Sequence, residues 1–456
     1  MRNILIIGAG RSASSLIKYL LDKSDAEDLF LTIGDVDIKA ATSLIGKHPN
    51  ARTVVLDVFN EKQRKEAVYG ADIVISMLPA RYHYEVAKDC LEFGKNMVTA
   101  SYISDEMMSL DSRVKSKGLV FMNEIGVDPG IDHMSAMQVI DRIREKGGKM
   151  LLFESFTGGL VAPESDTNLW NYKFTWNPRN VVLAGQGGAA EFIQEGKYKY
   201  IPYHRLFRRT EFLDINGYGR FEGYANRNSL KYREVYGLED ILTLYRGTIR
   251  KVGFSKAWNM FVQLGMTDDS YRLQDTEDMS YRDFVNLFLP YSPTDSVELK
   301  MRHNLNIDHD DVMWDKLVEL DIFNPKKKLG LKNATPAEGL QKILMDKWML
   351  EPDDKDMIVM YHKFGYELNG DKHQIDSHMV IKGDDQIFTA MAKTVGLPVA
   401  IATLKILNGE ISTPGVQLPI TKEVYEPILK ELEDHGIIFK EYEMDYLGYN
   451  PDNVYE

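Results

Sequence analysis

Within the first 125 residues, six short β-branched or apolar runs alternate with amphipathic stretches, an order that a parallel sheet wound with helices satisfies. The runs lie near Asn3 to Ile7, Phe30 to Ile33, Thr53 to Leu56, Asp72 to Met77, Asn96 to Ala100 and Leu119 to Met122. The nearly unbroken apolar character of Ile4-Leu5-Ile6-Ile7 and Ile73-Val74-Ile75-Ser76-Met77 predicts strands buried on both faces. Ligand crevices form outside the carboxyl ends of such strands. The expected class is α/β, a doubly wound parallel sheet of the Rossmann type, followed by an α+β substrate domain and a helical insert.

The first run leads into Gly8-Ala9-Gly10-Arg11-Ser12-Ala13, ahead of the helix-forming Ser15 to Leu21. Gly8 permits a tight turn, Gly10 lets backbone approach a pyrophosphate, and Ala13 is small enough for close packing of helix on strand. The helix N-terminus, with its unpaired amides, favours the anion. Gly-x-Gly-x-x-Ala is a weak signal by itself, and Asp35 strengthens it, 22 residues beyond Ala13 at the end of the second run. A carboxylate there hydrogen-bonds ribose hydroxyls and repels a 2′-phosphate, which favours NAD. Asp35 or Asp37 as the cap of the next helix is the competing reading. Arg11 pulls toward NADP, since a guanidinium pairs with phosphate, so NADP stays open.

Beyond Asp128 the texture changes, and the boundary falls in Gly126-Val127-Asp128-Pro129-Gly130. Alternation in Met150 to Phe156 predicts a more open sheet. From about Met266 to Trp348, helical spacing at Trp314, Leu317, Leu320 and Ile322 predicts a packed helical face. Asp356 to Leu368 followed by Asn369-Gly370 reads as a hairpin, because Asn-Gly supplies the positive φ of a tight turn. Ile387 to Leu407 reads as an apolar helix interrupted at Gly396-Leu397-Pro398. The expected domains are 1–128 with about 388–456 for the dinucleotide, 129–265 with about 356–387 for substrate and dimerisation, and 266–355 as the insert.

A net charge of −13 argues against nucleic acid or an anionic membrane as partner. No run of about 18 apolar residues is evident, which argues against a membrane span. The single cysteine, Cys90, excludes an internal disulfide and a cysteine metal cluster. With no signal-peptide pattern at the N-terminus, a cytoplasmic protein is expected. Asp128, Asp132 and His133 resemble metal ligands only loosely. Without a supporting pattern no metal is expected, and Asp132-His133 is read as capping or packing the helix that begins near Gly130.

Several longer stretches are distinctive: Thr99-Ala100-Ser101-Tyr102-Ile103, Asn123-Glu124-Ile125-Gly126-Val127-Asp128-Pro129-Gly130-Ile131-Asp132-His133, and Gly158-Gly159-Leu160-Val161-Ala162-Pro163-Glu164. Tyr172 to Pro178, Glu222 to Ser229, Tyr245 to Arg250, His362 to Gly365 and Ala392 to Thr403 follow in order. Across essentially its whole length the chain resembles the glutamate-forming saccharopine dehydrogenase family, also called saccharopine reductase. The resemblance implies reversible oxidation of saccharopine to L-glutamate and 2-aminoadipate 6-semialdehyde, in lysine metabolism, by a homodimer. It implies saccharopine contacts at Ser101, Tyr102, Asp128, Arg227, Arg246 and Thr248. It places the dinucleotide at Gly8, Gly10, Arg11 and Ser12, at Gly34 to Val36 with Asp35 between, and at Asp57, Val58 and Met77. Thr99, Ala100, Val127, Asp128, Pro129 and Thr175 complete that set. An acidic residue at position 35 resembles the NAD-using, lysine-degrading branch. The chain departs from the pattern at Thr157, where the family often has cysteine, and at Ala225 and Asn228, where Pro and Asp are usual.

Saccharopine carries three carboxylates and a secondary amine, so its site needs cations. Arg227 suits a bidentate contact, with Arg246 or Arg250 for a second carboxylate. The amine needs a proton acceptor, for which Asp128 leads, with Tyr102 and Lys173 behind it; Asp128 as a helix-entry cap is the alternative. Two other functions stay open: a related dehydrogenase reducing the imine of a polyamine precursor, and a cofactor-binding regulator without catalysis.

Overall fold

The computed structural model describes residues 1–448 and resolves two compact units. One comprises Met1–Met150, Tyr366–His373 and Met379–Glu443; the other comprises Leu151–Gly365 and Gln374–His378, with a short C-terminal stretch beginning at Met444. The last eight residues of the expected dinucleotide domain, 449–456, lie outside the described residues.

In the first unit, β1 (Arg2–Ile7), α1 (Ser14–Lys23), β2 (Leu29–Asp35), α2 (Lys39–Ile45), β3 (Ala51–Val55), α3 (Glu61–Tyr69), β4 (Ile73–Ser76) and α4 (His83–Phe93) alternate. They are followed by β5 (Asn96–Val98), α5 (Asp105–Met108), α6 (Asp111–Ser116), β6 (Val120–Met122) and α7 (Ile131–Glu145). All six expected strands are present. They form a parallel sheet in the order β6-β5-β4-β1-β2-β3, and a seventh strand, Gly415–Gln417, pairs with β6. β1 sits between β2 and β4, and Ile4 to Ile7 are buried, as a strand covered by helices on both faces requires. Leu5, Ile7, Val74, Val86, Leu91 and Phe121 belong to one packed core on this sheet.

One helix of the C-terminal part of the chain corrects an expectation. Ala390–Leu407 is continuous through Gly396 and Pro398, and it is the one helix among the described residues long and apolar enough to cross a membrane. Most of it is buried inside the fold. A proline within a helix costs about 3 kcal/mol. Here burial of the apolar residues on nearly every side, Leu397, Val399, Ala400 and Ile401 among them, outweighs that cost. Gly396 sets the approach to α1: a Cβ there would stand 2.8 Å from the Leu16 backbone nitrogen.

A second sheet, mixed in direction, has most of its residues in the second unit. Its strands β7 (Lys149–Val161), β8 (Ala190–Gln194), β9 (Lys197–Ile201), β10 (Thr210–Ile215), β11 (Gly219–Ala225), β12 (Thr243–Lys251), β13 (Asp356–Leu368) and β14 (Asp371–Lys382) give the order β10-β11-β12-β7-β13-β14, with β8 beside β12 and β9 beside β8. The expected hairpin joins β13 to β14, and Asn369 and Gly370 adopt φ of 55° and 92°. The alternation read in Met150 to Phe156 does not leave one face of the strand exposed: β7 is buried on both faces almost throughout. Its buried Glu154 is accommodated by an ion pair with Lys363 at 2.9 Å. Helices Tyr281–Asn286, Val297–Leu305, Val312–Glu319 and Pro336–Trp348 occupy the expected helical stretch, two of them opened by capping boxes, Ser280 with Asp283 and Thr335 with Glu338. Trp314, Leu317, Leu320 and Ile322 are all buried.

Gly396→Val is expected to lower the unfolding free energy by about 1–3 kcal/mol through overpacking against α1. Chemical denaturation measures this, and an unchanged midpoint would show that α1 moves aside.

Candidate functional site

Where β1 ends, the chain turns sharply. Gly8 adopts φ +99°, and a Cβ on it would lie 3.0 Å from the backbone carbonyl carbon and oxygen of Met77, so only glycine brings this turn against the end of β4. A Cβ at Gly10 would meet open space, the kind of opening a pyrophosphate needs, and Ala13 is buried. Asp35 ties the turn together: Oδ2 accepts the Ala9 N–H at 2.7 Å and Oδ1 accepts the Asp37 N–H at 3.0 Å. Gly8, Met77 and Asp35 are thereby gathered at the ends of three neighbouring strands. Arg11 and Val36 are exposed beside them, and Ser12 lies in the short turn between Gly10 and α1. Asp57 is exposed and accepts the Phe59 N–H at 3.0 Å, and Val58 is buried. These residues fit a dinucleotide.

A second cluster lies on the loops after β5 and β6. The Tyr102 hydroxyl donates to Asp128 Oδ1 at 3.1 Å, joining the two leading acid–base candidates. Tyr102 is 43% exposed, which leaves its ring accessible. Asp132 forms the turn into α7 by accepting the Gly130 N–H at 2.6 Å. Gly130 opens α7 without a side-chain cap hydrogen bond, so this contact ties Asp132, inside the helix, to the turn that precedes it. The loop carrying Tyr102 is clasped by Glu124, which is buried: Oε1 accepts the Ile103 N–H at 2.9 Å, and Oε2 lies 2.9 Å from His133 Nε2. The Glu124 N–H also donates to the Ser101 carbonyl, and Ala100 packs beneath Gly126. His83 reaches Ser101 from the other side, with Nε2 2.7 Å from Oγ.

In the second unit, the register of β11 on β12 places Tyr224 opposite Thr248 and Ala225 opposite Gly247. The Asn226 N–H donates to the Arg246 carbonyl at 2.8 Å, and Thr248 Oγ1 donates to Asn226 Oδ1 at 2.8 Å. Arg227, Arg246 and Thr248 are thus brought together. Arg227 is exposed and forms no ion pair with a carboxylate among the described residues. The Arg246 guanidinium stacks on Tyr232, 4.0 Å from the ring centroid. Arg250, two positions beyond Thr248 on the same face, is buried among the rings of Tyr172, Tyr224 and Phe254. Burial pushes the neighbouring Tyr172 phenol up to about 12, the Arg250 cation opposing that rise. Thr157, in place of the family's frequent cysteine, pairs with Thr248 across the sheet. Thr175 belongs to this unit too, buried, with a hydroxyl that has no partner among the described residues.

Lys173 is corrected. Rather than standing free as a base, it forms a buried ion pair with Asp354 at 2.6 Å, and the same carboxylate accepts the Glu351 N–H. Sequence reasoning missed His83 and Glu124, which contact the loop of Ser101 and Tyr102 from elements 18 and 21 positions away. No local pattern marks them. Among the described residues no group of three or more His, Cys, Asp or Glu is arranged to hold a metal ion.

The strand order, the glycine turn and Asp35 define a two-unit protein of the Rossmann dinucleotide-binding class. Family models for the saccharopine dehydrogenase NADP binding domain and the saccharopine dehydrogenase C-terminal domain match residues 4–122 and 126–437. The chain belongs to the saccharopine dehydrogenase family. It is 31% identical to a saccharopine dehydrogenase [NADP(+), L-glutamate-forming] of Saccharomyces cerevisiae, covering 96% of this chain and 99% of that one. It is 34% identical to the mitochondrial alpha-aminoadipic semialdehyde synthase of Mus musculus, of which it covers 47%. The chain spans about half the length of the curated mammalian relatives it matches. A solved structure of apo saccharopine dehydrogenase (L-Glu forming) from Saccharomyces cerevisiae superposes with a TM-score of 0.88 at 30% identity, over 97% of this chain and all of that one. The matched domain model and the fungal relatives are named for NADP, so the NAD preference expected from Asp35 draws no support from these names.

Asp354→Ala leaves the Lys173 ammonium buried without its counter-charge, and a loss of about 3–5 kcal/mol in unfolding free energy is expected, measured by urea denaturation. Loss of less than about 1 kcal/mol would show that Lys173 finds solvent or another partner.

Proposed function

We propose that this chain interconverts saccharopine with L-glutamate and 2-aminoadipate 6-semialdehyde, using a nicotinamide dinucleotide. The observation that carries the reading is the end-to-end match to the fungal L-glutamate-forming enzymes, which covers 96% of this chain and 99% of the Saccharomyces cerevisiae protein. The charge distribution supports it. Arg227 and Arg246 supply cations from adjoining segments for a substrate rich in carboxylates, and Tyr102 with Asp128 supplies a hydroxyl–carboxylate pair for its amine.

When bound, nicotinamide supplies the hydride acceptor. Asp128 takes the proton of the secondary ammonium, exposing the lone pair that assists oxidation of the adjacent carbon. Tyr102, hydrogen-bonded to Asp128, orients that carboxylate and stabilises its charge. Water then adds to the substrate imine, and its collapse releases glutamate and the aldehyde. Arg227 holds a carboxylate throughout, which is orientation rather than proton transfer.

For the cofactor's form, the chain's own residues support NAD: Asp35 places a carboxylate at the end of β2, where a 2′-phosphate would meet like charge. The names of the fungal relatives point to NADP. Reduction of NAD and NADP with saccharopine decides between them. Under this reading NAD is preferred and Asp35→Ala narrows the gap, while a wild-type preference for NADP overturns it. Cytoplasmic placement and a homodimer, to be read by fractionation and sedimentation velocity, belong to the same proposal.

Asp128→Ala is expected to lower kcat about 10²- to 10⁴-fold, and Arg227→Ala to raise the saccharopine KM about tenfold or more with a smaller change in kcat. Wild-type kinetics for both variants would remove the site assignment. Activity on carboxynorspermidine with none on saccharopine would favour the polyamine reading instead.

A further inference from the structure

A chain of hydroxyl, imidazole and hydroxyl runs beneath the loop that carries Tyr102. Ser76, the last residue of β4, is fully buried, and its Oγ lies 2.8 Å from His83 Nδ1. Across the ring, His83 Nε2 lies 2.7 Å from Ser101 Oγ and 3.3 Å from Thr99 Oγ1. His83 is only 4% exposed, and burial pushes its pKa down to about 4, so the ring is neutral near pH 7 and bears a single N–H.

The position of that hydrogen follows from Ser76. Its hydroxyl has one proton to donate, and among the described residues its Oγ has one partner, His83 Nδ1. A buried hydroxyl proton without an acceptor is costly, so Ser76 donates to Nδ1 and the imidazole hydrogen resides on Nε2. Nε2–H then donates to Ser101 Oγ. The Ser101 hydroxyl proton is left to point away from the ring, from a residue that is only partly buried. In the opposite tautomer a bare Nε2 takes a hydroxyl proton, and Ser101 Oγ at 2.7 Å is better placed to give it than Thr99 Oγ1 at 3.3 Å, which leaves Ser101 only lone pairs for a ligand, an arrangement that suits an ammonium and repels a carboxylate.

We propose that His83 is a positioning residue that commits Ser101 to act as a hydrogen-bond donor toward a substrate carboxylate. This rests on the functional reading above, which supplies a substrate with three carboxylates. It assigns Ser101 a direction, and it gives Ser76 a part in substrate selection although Ser76 is buried beneath the loop.

Two measurements on the full chain test it. The first is ¹⁵N NMR of histidine-labelled protein, with the His83 resonances assigned by their loss in His83→Gln. The Nε2–H tautomer is expected, and the Nδ1–H tautomer would overturn the proposal. The second is saccharopine kinetics. His83→Leu and Ser101→Ala should each raise KM about tenfold or more with kcat and the dinucleotide KM little changed. The double variant should be no worse than the singles, and His83→Gln, which retains an N–H donor, should recover part of the loss. Fully additive losses, or a wild-type KM in His83→Leu, would overturn it. A wild-type chain that does not turn over saccharopine fails the functional reading instead, and the tautomer then decides the orientation of Ser101 independently. If His83→Leu does not fold, His83→Gln and the tautomer keep the test.

Discussion

The bond from the Ala9 N–H to the Asp35 carboxylate is the contact on which the dinucleotide end of the molecule depends. At the carboxyl end of a parallel strand the backbone leaves its ladder, and its amides must find other partners or bind a ligand. Asp35 resolves this for two turns at once, because the same carboxylate also accepts the Asp37 N–H. With β1 lying between β2 and β4, one side chain coordinates the turn after β1 with the turn after β2. Gly8 completes the arrangement by letting the first turn rest against Met77. Asp35 therefore shapes the loop as well as setting its charge, which distinguishes it from a purely surface-borne cofactor selector.

The same economy governs the loop of Ser101, Tyr102 and Ile103. Short strands such as β5 contribute few ladder bonds, so the loop is held by buried polar side chains on either side, Glu124 from one and His83 from the other. Such groups are costly when left unmatched and rigidifying when satisfied. In the second unit, the cations Arg246 and Arg250 rest against aromatic rings, an environment that offsets part of their desolvation. Arg227, exposed on the segment after β11, keeps its guanidinium available.

Much of this was legible in the chain. Strands buried on both faces announce themselves as continuous β-branched runs, and Asn369-Gly370 marks its hairpin because few other residue pairs tolerate two positive φ values in succession. The seventh strand was not legible: Gly415-Val416-Gln417 is three residues long, and only its pairing with β6 makes it a strand. The helix through Pro398 was misread because local rules count the proline's cost, whereas burial of its surroundings is a property of the fold. The role of Lys173 was misread for a related reason, since its partner Asp354 lies 181 positions away.

By itself, then, the sequence determined the parallel α/β sheet, the glycine turn with its acidic partner, the hairpin, and the set of polar residues from which a site can be built. These follow from periodicity, backbone sterics and side-chain chemistry, all of which act over a few residues. Tertiary structure alone decided which lysine is tied down, which helix continues, and which polar groups meet. Those outcomes depend on burial and on hydrogen-bond partners distant in the chain, and Ser76, His83 and Ser101 become one hydrogen-bonded chain only when β4, α4 and the loop after β5 are packed together.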